Sequence, residues 1–323
     1  LIFWRRRFTL DSPSENSLIM SSSRTRLDRP DGVSIQLYRW LPETEPLAAV
    51  QIVHGLSEHA GRYARVATAL NKAGFAVYAS DLRGHGTACP RPDLGFFSER
   101  AGWRKCLEDL WAVHRRIETA LPDVPVVFLG HSMGSFLVQQ LIAEHGDNVA
   151  GAVLSGSNGA PPPLATLGRL IARLERVRLG QTGHSALLRD LMFGGFNKPF
   201  APTRTPFDWL SSDEAKVDAF VADPACGNDF TVQLAIDLLD ALGPLTSPAT
   251  VAGIPKDLPI YIFSGENDPV GPNLKGLIQA YRNAGLTRVT SRIYPGGRHE
   301  MLNEINRDEV TRDLIAWLDA NVG

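Results

Sequence analysis

The sequence predicts an α/β fold: a mostly parallel sheet flanked by helices, with an inserted helical cap. Three observations carry this. Short apolar runs alternate with amphipathic helical patterns through the first half of the chain. The alternation stops at Pro161-Pro162-Pro163 and returns near residue 230. The stretch between carries helical patterns and irregular Gly- and Pro-rich chain, but no strand. With 323 residues and 44% hydrophobic content, one large domain with an insertion is the natural organisation.

Each element has its own signal. Asp31-Gly32 makes a turn before an alternating strand over 33–40. Residues 48–53 form a buried strand ending at His54-Gly55, 62–73 an amphipathic helix closed by Gly74, and 75–80 the next strand. A long helix over 99–120 leads to the strand Val126, Val127, Phe128, Leu129, and a further apolar run spans 149–155. The cap, residues 160–228, holds helical patterns near 164–179 and 184–192. A helix near 230–242, a strand over 258–263, a helix near 272–284, a strand over 288–294 and a helix over 307–320 complete the core, residues 24–159 and 229–323. Residues 1–23 read as a disordered or non-native extension. Their apolar residues precede the arginines and are too few for a signal-peptide core, and Met20 before three serines is a plausible start.

Composition excludes several function classes. A net charge of −2 offers no footprint for nucleic acid. Cys89, Cys106 and Cys226 are odd in number and fit no metal-ligand spacing, so free thiols in a reducing, cytoplasmic compartment are expected. Phosphate-cradling glycine motifs are missing at the strand–helix junctions, so no cofactor and no metal is expected.

The chemistry concentrates at "GHSMG", residues 130–134. Three fixed residues, G-x-S-x-G, carry weight only where a strand precedes and a helix follows. Here Val126 to Leu129 supplies the strand, and Phe136, Leu137, Gln140, Leu141 and Glu144 repeat at helical spacing until Gly146. Ser132 then sits in a strained turn at the carboxyl end of the sheet, where open α/β sheets bind ligands. A serine hydroxyl is a poor nucleophile without a base, itself oriented by a carboxylate. His299, in the Gly-rich loop "YPGGRHEMLNE" between the last strand and last helix, can reach back over the sheet. Asp268, just past a strand end in "SGENDPVG", is the expected acid, with Glu266 its competitor. The backbone N–H groups of Met133 and of Leu56, in "HGLSEH", are the expected oxyanion donors. Asp81, Arg83 and His85 in "SDLRGHG" read as loop scaffolding.

Together, "HGLSEHAGRY", "DLRGHG", "GHSMGS", "GENDPV" and "GGRHEMLNE" resemble the monoacylglycerol lipase and lysophospholipase branch of the α/β-hydrolase superfamily, from about residue 28 to the end. The resemblance implies an α/β-hydrolase fold with Ser132 as nucleophile, Asp268 as acid, His299 as base, and Leu56 and Met133 as oxyanion donors. It implies hydrolysis of lipid-like monoesters, with monoacylglycerol the first expectation and a short-chain carboxylesterase or lysophospholipase as alternatives. This branch also carries an aminopeptidase label, for which Asp208, Asp213, Glu214 and Asp218 in the cap are raw material. Ser57 departs from the glycine many relatives carry, and Thr87 from their serine.

In the cap, Leu164, Leu167, Leu170, Ile171, Leu174 and Val177 share one helical face, and Arg169, Arg173 and Arg176 the other. The expected arrangement is leucines packed on the core with a solvated basic face. The alternative is a lid resting weakly on an anionic membrane surface.

Overall fold

The structure, a computed structural model, describes residues 22–161 and 165–322. Residues 1–21 of the expected extension and Leu164 of the expected cap face lie outside the described residues. Eight strands are β1 (Ser22–Asp28), β2 (Ser34–Trp40), β3 (Ala49–Val53), β4 (Ala76–Ser80), β5 (Val126–His131), β6 (Gly151–Ser155), β7 (Ile260–Gly265) and β8 (Val289–Tyr294). They form one sheet in the order β1-β2-β4-β3-β5-β6-β7-β8. Only β2 runs against its neighbours.

The core helices are α1 (Ala64–Lys72), α2 (Gly102–Ala120) and α3 (Met133–His145) in the first half. The cap holds α4 (Ala165–Leu179), α5 (Ala186–Phe193) and α6 (Glu214–Ala222), and α7 (Val232–Leu242), α8 (Pro248–Ala252), α9 (Leu274–Asn283) and α10 (Arg307–Val322) return to the core. Every residue of β3 to β7 is buried, which is why these strands read as unbroken apolar runs rather than alternating ones. One face is covered by side chains of α2, α3, α7 and α9, such as Leu110, Leu141, Leu238 and Leu277. The other is covered by α1 and α10 through Val66, Leu70, Leu314 and Leu318.

Strand β1 is absent from the sequence reading and starts two residues before the expected core boundary. Its sequence, SSRTRLD, is polar and mostly exposed, so no hydrophobic period announces it. Cross-strand partners make it a strand: Ser22 pairs with Trp40, Arg39 Nε donates to Ser23 Oγ at 3.1 Å, and the Arg24 guanidinium lies over the Tyr38 ring.

The face of α4 is largely the reverse of the expectation, although Ile171 of the expected stripe does pack on the core. Gly168, Ala172 and Glu175 turn inward, and α4 packs on α7. Arg169 Nε donates to the Leu239 carbonyl at 3.0 Å and Arg173 pairs with Asp240 at 3.1 Å. Leu167, Leu170, Leu174 and Val177 are exposed, up to 87% at Val177. Small residues let the two helices approach closely, and Arg169 and Arg173 find acceptors on α7. No helix among the described residues is long and apolar enough to cross a membrane.

Candidate active site

Five strand ends, those of β3, β5, β6, β7 and β8, deliver the loops of the site to one end of the sheet. Between β5 and α3 the chain must reverse within a few residues, and Ser132 takes φ 51° and ψ −122° to do so. A β-carbon on Gly134 would come within 2.1 Å of the Val53 carbonyl oxygen, and one on Gly130 within 2.6 Å of the Gly134 carbonyl oxygen. Both glycines of the motif are therefore demanded by close backbone approach. The strain is concentrated on the serine between them.

His299 is buried in the loop after β8, and its Nδ1 donates to Asp268 Oδ1 at 2.9 Å. Asp268 also accepts from Ser264 Oγ at 2.6 Å and from the Val270 N–H at 2.9 Å. Burial opposes the charge on Asp268, but the facing imidazole and these donors outweigh it, so its pKa is lowered. Burial likewise opposes charge on His299, but the Asp268 carboxylate wins and raises its pKa above the ordinary 6.5. Glu266, the competing acid, is exposed and accepts from the Gly296 N–H instead. Gly156, at φ 56°, leaves the room His299 needs, since a β-carbon there would lie 2.8 Å from its Cε1.

Gly55 brings the loop after β3 against the elbow: its β-carbon would lie 3.2 Å from that of Ser132. His54 holds this loop. The Leu82 N–H donates to its Nε2 at 2.9 Å, so Nδ1 carries the proton and donates to the Gly55 carbonyl at 2.8 Å. Burial keeps His54 neutral, with its pKa down to about 3. The Leu56 N–H, in the loop, and the Met133 N–H, at the first position of α3, have no acceptor among the described residues. The positive end of the α3 dipole adds to the same spot.

A cavity of about 230 Å³ opens over Ser132 and His299. Its walls are mainly apolar, with Phe193, Phe207, Trp209 and Phe220 from the cap and Leu56 and Phe230 from the core. The Trp209 ring stands 5.1 Å from the His299 imidazole and shields it from water.

Comparison with known proteins gives the family and the fold. The family model described as serine aminopeptidase, S33 matches residues 44–306. The chain belongs to the serine aminopeptidase S33 family. A monoacylglycerol lipase of Mycolicibacterium smegmatis is 29% identical to this S33 chain over 294 residues, 89% of this chain and 93% of the relative. A monoglyceride lipase of Rattus norvegicus is 26% identical over 298 residues, 90% of this chain and 89% of the relative. Among solved structures, a thermostable carboxyl esterase from Bacillus coagulans in complex with glycerol superposes with a TM-score of 0.87 at 26% identity, covering 94% of this chain and all of that one. The fold is that of the α/β-hydrolases.

At the candidate site lies an ionic network that local sequence does not announce. Glu58 accepts from the Gly55 N–H at 2.6 Å, from Tyr63 Oη at 2.9 Å and from Arg62 at 2.6 Å. Arg62 forks onto both oxygens of Glu300 at 2.7 Å each, so it joins the loop after β3 to the loop of His299. Burial would raise the Glu58 pKa, but Arg62 outweighs it and brings it down to about 2. The only local signal was an acid placed three residues after Gly55 and another beside His299; their 242-residue separation hides the pairing.

The remaining candidates take other roles. Asp81 accepts from the Ala60 N–H, Arg83 forks onto Asp109, and His85 Nδ1 faces the Arg83 carbonyl; none of the three lines the cavity over Ser132. His59, Asp223 and Cys226 bring three donor atoms within 4.8 Å of one another. However, His59 Nε2 already meets Asp223 at 2.9 Å, and burial pushes the Cys226 thiol far up, away from the thiolate a metal needs.

Proposed function

We propose that this chain is a serine-dependent carboxylic ester hydrolase that cleaves lipid-like monoesters, monoacylglycerol first among them. The observation that carries the reading is the buried Asp268–His299 pair, whose imidazole lines the same cavity as the strained Ser132, with aromatic side chains in its walls. Ser132 Oγ attacks the ester carbonyl carbon while His299 Nε2 takes its proton. The oxyanion is met by the Leu56 and Met133 N–H groups. His299 then protonates the departing glycerol oxygen, and the acyl group stays on Ser132. Water attacks that acyl-enzyme by the same route and releases the fatty acid. Asp268 keeps the Nδ1 proton in place and stabilises the imidazolium at each step. The apolar cavity suits an acyl chain, and the two lipases similar over nine-tenths of the chain support the same substrate class.

A peptidase needs a free acid for the substrate ammonium, and the observations argue against one. In the cap, Asp213 pairs with Arg307, Glu214 and Asp218 with Arg204, and Asp208 accepts from Thr205 and the Arg204 N–H. At the cavity, Glu58 and Glu300 share Arg62, and Asp229 pairs with Arg189.

The outward leucines of α4, with Leu187 and Leu191 of α5 half exposed beside them, form an apolar face on the cap that covers the cavity. Weak seating of this face on a lipid surface would bring the site to its substrate. Arg169 and Arg173 are engaged on α7, so the leucines dominate the outward face.

The test is initial rates on short and long p-nitrophenyl esters, 1-monooleoylglycerol, a lysophospholipid and an alanine anilide. The expected outcome is fastest turnover of the glycerol ester, abolished in Ser132→Ala together with fluorophosphonate labelling. Turnover of short esters alone would make it a general carboxylesterase. Full activity in Ser132→Ala would overturn the mechanism.

A further inference from the structure

Ser57 takes φ 56°, the left-handed region, where a residue with a β-carbon is disfavoured and glycine is not. Something must hold it there. Its hydroxyl donates to the Asn228 carbonyl at 2.7 Å, and its own carbonyl accepts from the Gly227 N–H at 2.8 Å. Asn228 and Gly227 belong to the chain between α6 and α7, along which the cap returns to the core. Two residues further along the loop, His59 meets Asp223 of the same return segment at 2.9 Å. Three bonds therefore stitch the loop after β3 to the cap's return hinge. The residue before Ser57 is Leu56, and both segments line the cavity over Ser132.

We infer that Ser57 is a positioning residue: its hydroxyl clasps the cap's return hinge to the oxyanion loop, so that cap seating and alignment of the Leu56 N–H form one mechanical unit. This rests on the ester-hydrolase reading for its catalytic consequence, but the clasp itself does not. A long acyl chain that packs on Phe193, Phe207 and Phe230 steadies the cap, and through Asn228 and Ser57 it steadies the donor that meets the oxyanion. A donor aligned only when the cap is seated acts on the transition state, so its loss lowers kcat rather than raising KM. A short ester that never reaches the cap keeps the resting clasp but adds nothing to it.

Two substitutions separate the clasp from the backbone strain. Ser57→Ala removes the hydroxyl and keeps the strain, whereas Ser57→Gly removes both. The measurements are kcat and KM on matched acetyl and dodecanoyl p-nitrophenyl esters, thermal melting, and amide hydrogen exchange across residues 55–59 and 223–230. In both variants the dodecanoyl kcat is expected to fall about fivefold or more with KM within about twofold, and the acetyl kcat to fall by a smaller factor. Exchange at the Gly227 amide is expected to quicken in both, and Ser57→Gly to melt no lower than the wild type. Wild-type kcat in Ser57→Gly, or unchanged exchange at Gly227, would overturn the inference. If the wild type turned over no ester, the ester-hydrolase reading would fail, and the exchange data would still decide the clasp.

Discussion

At the elbow a β-carbon has nowhere to go: on Gly134 it would press on the Val53 carbonyl oxygen at 2.1 Å. In the cap, a β-carbon on Gly195 would meet nothing within 4 Å, and the leucines of α4 stand in solvent. The two regions meet over the same cavity and contribute differently to it. The core supplies groups whose positions are over-determined, as a nucleophile, an acid and a base require. The cap supplies aromatic walls held by a small cluster of its own, Trp209, Leu210, Phe220 and Cys226. On the proposed function, chemistry belongs to the region that cannot yield and substrate choice to the one that can.

The sharpest way to break that division is to disturb a polar group of the core. Asp268→Asn is expected to lower kcat by about three to four orders of magnitude, because the amide no longer holds the imidazole tautomer or stabilises its cation. It also has a pH signature. In the wild type, burial lowers the His299 pKa but Asp268 raises it by more, to a net value above 6.5. The base must be neutral, so kcat/KM falls as pH drops through that raised value, and the acid limb lies on the alkaline side of 6.5. With Asp268→Asn the raising charge is gone and the limb moves to lower pH. A limb that stayed in place would separate His299 from the pH dependence.

Packing gives the next contrast. Gly134→Ala is expected to cost about 3 kcal/mol or more, since the obstacle is backbone that cannot swing aside. Gly195→Ala is expected to stay within about 0.5 kcal/mol of the wild type. Denaturant midpoints of both variants measure this, and equal midpoints would end the contrast. The walls come third. Trp209→Ala is expected to cut kcat/KM on a dodecanoyl ester about tenfold, the range for losing one large apolar contact, and to affect the acetyl ester less. The smallest effect is on the outer face. Leu170→Ser with Leu174→Ser is expected to weaken co-sedimentation with neutral phosphatidylcholine vesicles about threefold, in line with modest exposed apolar area, while soluble-ester rates stay within about twofold of the wild type. Retained vesicle binding would locate the lipid contact elsewhere.

Much of this protein is legible in local sequence. The β-branched run before Gly130 and the helical spacing after Gly134 identify strand, turn and helix without any distant partner. So do the Gly-rich loop of His299 and the position of Asp268 two residues past a competing acid. These signals are short-range because the backbone itself imposes them: a sharp turn needs glycine, a buried strand needs apolar side chains on both faces. What local pattern could not decide is anything that depends on a partner far along the chain. Strand β1 is a polar edge that exists only through pairing with β2. The side of α4 that meets α7, where the Leu239 carbonyl and Asp240 accept from its arginines, is not the side its leucines alone suggested. Arg62 joins Glu58 to Glu300, and Ser57 joins the oxyanion loop to Asn228, across separations of 171 residues or more. Periodicity reports how a residue would like to be buried. Which surface is there to bury it, and which charge waits on that surface, is a property of the folded chain.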